Sequence, residues 1–102
     1  MTFIWSDAVI LYAVCWYNEL GGSDRVSISK AGGYIARCAL TDVEYYGGLY
    51  RLLSAKHVYL DEHQIFADEA ALDHFLSSPP GTDDVFQMTD HMMDFLGISW
   101  ST

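Results

Sequence analysis

The sequence predicts a mainly α-helical single domain with one small β-hairpin. Three features carry that expectation. An apolar run of ten residues, Ala8 to Tyr17, lies between Asp7 and Asn18. That is helix length, and about half of what a membrane span needs. Thr41-Asp42-Val43-Glu44 has the form of a capping box ahead of an apolar repeat. Two β-rich runs, Val58-Tyr59-Leu60 and Gln64-Ile65-Phe66, flank the polar triplet Asp61-Glu62-His63. The chain of 102 residues is 51% hydrophobic and 15% aromatic, which suits one domain with a modest core and excludes intrinsic disorder.

Taken in order, Ser6 is the expected N-cap of a first helix that runs to about Leu20 and is stopped by Gly21-Gly22. Val9, Ile10, Leu11, Val14, Cys15, Trp16 and Tyr17 make it apolar nearly all round. Such a helix is either central to the fold or shared with a partner. Val26-Ser27-Ile28-Ser29 alternates as a short strand does. Ser29 then caps a second helix over about Lys30 to Ala39, facing inward with Ala31, Ile35 and Cys38. In the third helix Leu40 and Tyr45 stand at the positions of a hydrophobic staple. Val43, Tyr46, Leu49, Tyr50 and Leu53 form its expected buried stripe, and Lys56 and His57 fall at its carboxyl end, where the dipole favours positive charge. Gly47-Gly48 costs that helix about 1 kcal/mol per glycine relative to alanine, so the pair implies close approach of another element or a kink. The hairpin follows, with a three-residue turn that lacks the usual glycine. Asp68 caps a fourth helix to about Leu76, with Leu72, Phe75 and Leu76 inward. Ser77 to Gly81 is a hard stop containing Pro79-Pro80. Thr82 caps a fifth helix whose stripe is Val85, Met88, Met92 and Leu96, and Gly97 ends it.

Helix, short strand, helix, capped helix and hairpin is the order of a winged helix-turn-helix domain. The stretch Thr41 to Asp68 resembles one most: a capped helix ending in Leu49, Leu52 and Leu53, then Lys56-His57-Val58, a turn, and Ile65-Phe66-Ala67-Asp68. The resemblance covers about residues 6–76, with 82–97 as an appended C-terminal helix inside one domain of 1–102. It rests on pattern and not on a diagnostic motif, and the fold serves DNA readers, protein binders and nucleic-acid mimics alike. In DNA-binding relatives the third helix enters the major groove and the wing supplies basic contacts. Here Asp42 and Glu44 open that helix and Asp61-Glu62 lie at the wing tip. The first pair also serves as a helix cap, and turns are commonly polar.

The formal net charge of −9 is unevenly spread. Residues 1–24 carry −3, residues 25–56 carry +3, and residues 57–102 carry −9 with no Lys or Arg. All five cations therefore lie between Arg25 and Lys56. The acidic total argues against bulk attraction to nucleic acid or an anionic membrane. The reading favoured is an acidic protein-binding module, an inhibitor, immunity-type or adaptor protein, that docks on a basic surface of a partner, such as one that binds nucleic acid. Its acidic face would be Asp61, Glu62, Asp83, Asp84, Asp90 and Asp94. Asp90 and Asp94 are a like-charge i,i+4 pair that a helix tolerates at some cost. A solvated face that aids solubility explains the same acids. The alternative is a winged-helix DNA-binding transcriptional regulator using the basic 25–56 segment through Lys30, Arg37 and Arg51.

Trp5, Tyr12, Tyr45 and Trp100 are the candidate exposed aromatic anchors, since Trp and Tyr recur at binding surfaces. If the first helix presents its second apolar face, a homodimer forms through it. His57, His63, His74 and His91 lie among acids, but only His91 and Asp94 share a helical spacing suited to one ion, short of a full site. Surface histidines near carboxylates explain them as well, with charge that responds to pH. No nucleophile motif, phosphate loop or H-E-x-x-H occurs, so no enzyme, metal or cofactor is expected. Cys15 and Cys38 fit reduced core positions; a disulfide or reactive thiol is the alternative. Met1 to Ser6 holds no basic residue and no small-residue cleavage site follows the first apolar run, so a cytoplasmic location is expected.

Overall fold

The computed structural model describes residues 2–19, 23–24, 41–62, 64–77 and 85–98. Their elements are α1 (Trp5–Glu19), β1 (Ser23–Asp24), α2 (Asp42–Ser54), β2 (Val58–Asp61), β3 (Gln64–Ala67), α3 (Glu69–Leu76) and α4 (Val85–Leu96). The architecture is mainly helical with a small antiparallel hairpin, in the winged-helix-like order with an extra C-terminal helix. The expected helix over Lys30 to Ala39, the strand Val26 to Ser29 and the Thr82 cap lie outside the described residues.

α1 is the centre of the molecule. Every residue from Ser6 to Cys15 is buried, and the helix packs against α2, α3, α4, β1 and β3. Of the two readings of an all-round apolar helix the central one holds, and Trp16 is its exposed large side chain. Ser6 is not the cap. The helix starts one residue earlier, and Ser6 sits in its first turn with a buried Oγ that has no partner among the described residues. Asp7 serves the end instead: its carboxylate accepts the Ile4 N–H at 3.1 Å, satisfying one of the donors that a helix start leaves open.

α2 opens on the expected capping box. Thr41 Oγ1 accepts the Glu44 N–H at 3.1 Å and Glu44 Oε1 accepts the Thr41 N–H at 2.9 Å. The Thr41 N–H and hydroxyl hold the Glu44 carboxyl below its ordinary value. The helix is rotated from the stripe expected of it. Tyr45, Gly48, Leu49 and Leu52 face inward, while Val43, Tyr46 and Tyr50 are 83%, 54% and 69% exposed. Gly48 sets the rotation. A Cβ there would lie 2.5 Å from Ile10 Cδ1 and 2.9 Å from Asp7 Oδ1, so the backbone meets α1 on the glycine side and turns Val43, Tyr46 and Tyr50 to solvent. The close approach that the glycine pair implied is therefore at Gly48.

Among the described residues the sheet has three strands in the order β1-β3-β2, all antiparallel. Asp61 pairs with Gln64, so it belongs to β2 and the connection is a two-residue turn, shorter than expected. Glu62 supplies the positive φ that a tight hairpin needs, at 58°. Among the described residues β1 covers Ser23–Asp24, and the Asn18 Oδ1 of α1 accepts the Ala67 N–H at 2.9 Å. Val58, Ile65 and Ala67 point into the core.

Asp68 caps α3 as expected, accepting the Ala70 N–H at 3.2 Å. Ala71 is its buried centre, with Leu72 and Phe75 half-buried. Leu76 is exposed and not inward; five residues on from Ala71 it stands about 140° round the helix. Met88, Met92 and Leu96 of α4 are buried as the stripe requires, together with Thr89 and Met93. Cys15 is buried, and its sulfur lies 3.9 Å from the Ala71 carbonyl.

Candidate interaction surface

Arg51, offered by the sequence as a DNA contact, is engaged inside the protein. Its Nε donates to Asp7 Oδ2 at 2.7 Å and its Nη2 to Asp7 Oδ1 at 2.8 Å. Asp7 is fully buried, and the bidentate fork raises the Arg51 pKa further above its ordinary value. Arg51 is the only Lys or Arg of α2. Its charge is spent on a carboxylate from α1, so the exposed side of α2 presents Val43, Tyr46 and Tyr50 beside Asp42 and no unpaired cation. Lys30 and Arg37 lie outside the described residues.

The aromatic candidates sort differently from expectation. Tyr12 and Tyr45 are 8% and 4% exposed, so neither is an exposed anchor. Tyr12 packs between Trp16 and Phe75, and Tyr45 lies edge-on to Tyr46. Trp5 is half-buried against the core, and Trp100 lies outside the described residues. Tyr46, Tyr50 and Tyr59 take the exposed positions. The glycine pair implied the close approach of another element without fixing the side of α2 on which it falls, so Tyr46 and Tyr50 carried no sequence signal of their own, and Tyr59 of β2 carried none either.

Of the acidic candidates, Asp61 and Glu62 are exposed at the wing tip, and Asp90 and Asp94 are exposed on α4. Asp83 and Asp84 lie outside the described residues. The structure brings Asp61 and Glu62 together on the hairpin and Asp90 and Asp94 together on α4. His91 does not face outward with its acidic neighbours. Its ring stacks on His74 at 4.0 Å, 16° from parallel. Each of the two rings donates its Nε2 proton to the other residue's carbonyl, at 2.8 Å from His74 and 2.5 Å from His91. This pair ties α3 to α4, and both ring nitrogens in contact are occupied.

No group of three or more His, Cys, Asp or Glu side chains among the described residues forms a metal-binding cluster. No described helix is long and apolar enough to cross a membrane. No family model matches the chain, and neither curated proteins nor solved structures show significant similarity to it.

Proposed function

We propose that this protein is a non-catalytic binding module that docks on a basic protein surface and acts by occupying it, as an inhibitor, immunity-type protein or adaptor. The outer side of α2 supports the reading most directly. A helix that tracks a phosphate backbone offers unpaired Lys and Arg. This one offers Val43, Tyr46 and Tyr50 beside Asp42, while its single cation is locked to Asp7. Exposed tyrosines provide large contact area at little entropic cost, and they recur as energetic anchors of protein interfaces. The acids of the wing tip and of α4 add a field that steers a cationic partner.

Pull-down from the native host at low and high salt, with quantitative mass spectrometry, tests this against a Tyr46→Ser/Tyr50→Ser variant. Wild type is expected to retain a basic protein in a salt-sensitive way, and the variant to lose it while remaining folded. In a parallel gel-shift experiment duplex DNA is expected to stay free. A shift of DNA with a negative salt slope would establish the regulator reading in its place.

A further inference from the structure

We propose that the solvent face of the hairpin is a subsite for an arginine side chain of the partner. This rests on the basic-partner reading above and narrows it to one residue type at one place. Tyr59 and Phe66 are directly opposite in the β2–β3 register. Their rings stack with centroids 5.6 Å apart and planes 22° from parallel. Tyr59 is 51% exposed and Phe66 half-buried, so the pair forms an aromatic step open on one side. Strand alternation puts Asp61 and Gln64, the next cross-strand match but one, on that same face. Both are exposed, and Glu62 follows at the tip. No Lys or Arg among the described residues pairs with Asp61 or Glu62.

The spacing suits a guanidinium. Two residues along a strand cover about 6.6–6.8 Å, so a planar cation lying on the Tyr59 ring has its edge within reach of the Asp61 carboxylate. Arginine combines a face that stacks on aromatic rings with a donor fork that matches a carboxylate. A lysine ammonium is compact and strongly hydrated and gains less from the ring. A nucleobase would also stack on the step, but its phosphates would meet Asp61 and Glu62.

The test is an NMR titration of the 15N-labelled full chain at low salt with three probes: a capped peptide of spaced arginines, its lysine counterpart and a single-stranded oligonucleotide. Expected are amide shifts confined to residues 58–62 and 64–67, with the arginine peptide bound about two- to five-fold more tightly than the lysine peptide. Tyr59→Phe retains that preference, and Tyr59→Leu abolishes it without disturbing the rest of the spectrum. Shifts confined to α2 or α4 overturn the hairpin subsite and leave the basic-partner reading standing. So does equal affinity for the two peptides on the hairpin. Absence of shifts with both peptides overturns the subsite and the broader reading together, and oligonucleotide shifts on Tyr59 and Phe66 overturn it in favour of a base-stacking face.

Discussion

Two adjacent glycines in α2 show how finely the core is set at single residues. Gly48 has no room for a methyl group: a Cβ would press on Ile10 Cδ1 and Asp7 Oδ1. Ile10 is fully buried, and Asp7 is held by Arg51, so neither neighbour yields cheaply. Gly48→Ala is expected to lower stability by about 1–3 kcal/mol through overpacking, although alanine is the better helix former. Gly47 has its nearest neighbour at 3.4 Å, the Arg51 Nη1, so Gly47→Ala is expected to be neutral or to gain up to about 1 kcal/mol. Urea unfolding of the two variants reads the contrast, and equal effects would show that the helices separate freely. The same contact makes Arg51 structural. Arg51→Met leaves a buried carboxylate without its counter-charge and is expected to cost about 3–5 kcal/mol. An unchanged urea midpoint would mean that Asp7 is solvated after all.

At the scale of elements, α2 and α4 end with the same closing turn built from different residues. In α4 the Gly97 N–H donates to the Asp94 carbonyl at 3.2 Å and the Ile98 N–H to the Met93 carbonyl at 2.9 Å. In α2 the Lys56 N–H donates to the Leu53 carbonyl at 3.1 Å and the His57 N–H to the Leu52 carbonyl at 2.9 Å. The left-handed position is Gly97 at φ 74° in one and Lys56 at φ 64° in the other. Glycine takes that conformation without the Cβ clash, so Lys56→Gly is expected to stabilise the protein by about 1 kcal/mol, read as a higher unfolding midpoint; a lower one would show that the Lys56 charge at the helix end outweighs the strain. Such local chemistry was largely legible in the sequence: the Thr41 and Asp68 caps, the Gly97 stop and the extent of α3 all follow from short-range hydrogen bonding. The rotation of α2 was not, because Val43, Tyr46, Leu49 and Tyr50 repeat at helical spacing as plausibly as Tyr45, Leu49 and Leu52 do. Only contact with α1 chooses between them, and the exposed tyrosines of the candidate surface depend on that choice. The turn at Glu62 was hidden for a related reason, since a non-glycine residue at positive φ leaves no compositional mark. Arg51 looked available because its partner Asp7 is 44 residues away in the chain.

Across the whole molecule a line of rings joins segments that are far apart in sequence. Phe3, ahead of α1, lies 5.5 Å from His57; His57 meets Phe95 of α4 edge-on at 5.0 Å; Phe95 lies 5.2 Å from His74 of α3, which stacks on His91. His57 heads the hairpin, and its carbonyl accepts the Asp68 N–H at 2.7 Å. Helices, hairpin and amino-terminal segment therefore meet at one aromatic seam. Burial in that seam lowers the His57 pKa below its ordinary 6.5, and the nearby Asp68 carboxylate opposes the shift without cancelling it. The consequence for stability has a definite sign. Well above pH 6.5 both folded and unfolded chains carry a neutral His57, and the group contributes no pH dependence. As pH falls through 6.5 the unfolded chain takes up the proton first, so stability declines until the pH drops below the folded value, after which the loss is constant. His57→Phe keeps a ring against Phe3 and Phe95 and removes the titration. Urea midpoints of wild type and variant at pH 7.5 and 5.5, a window in which most carboxylates stay ionised, are therefore expected to fall further for wild type. An identical fall in both would mean that the proton is taken up without opening the seam, and that the pH response of the molecule originates elsewhere.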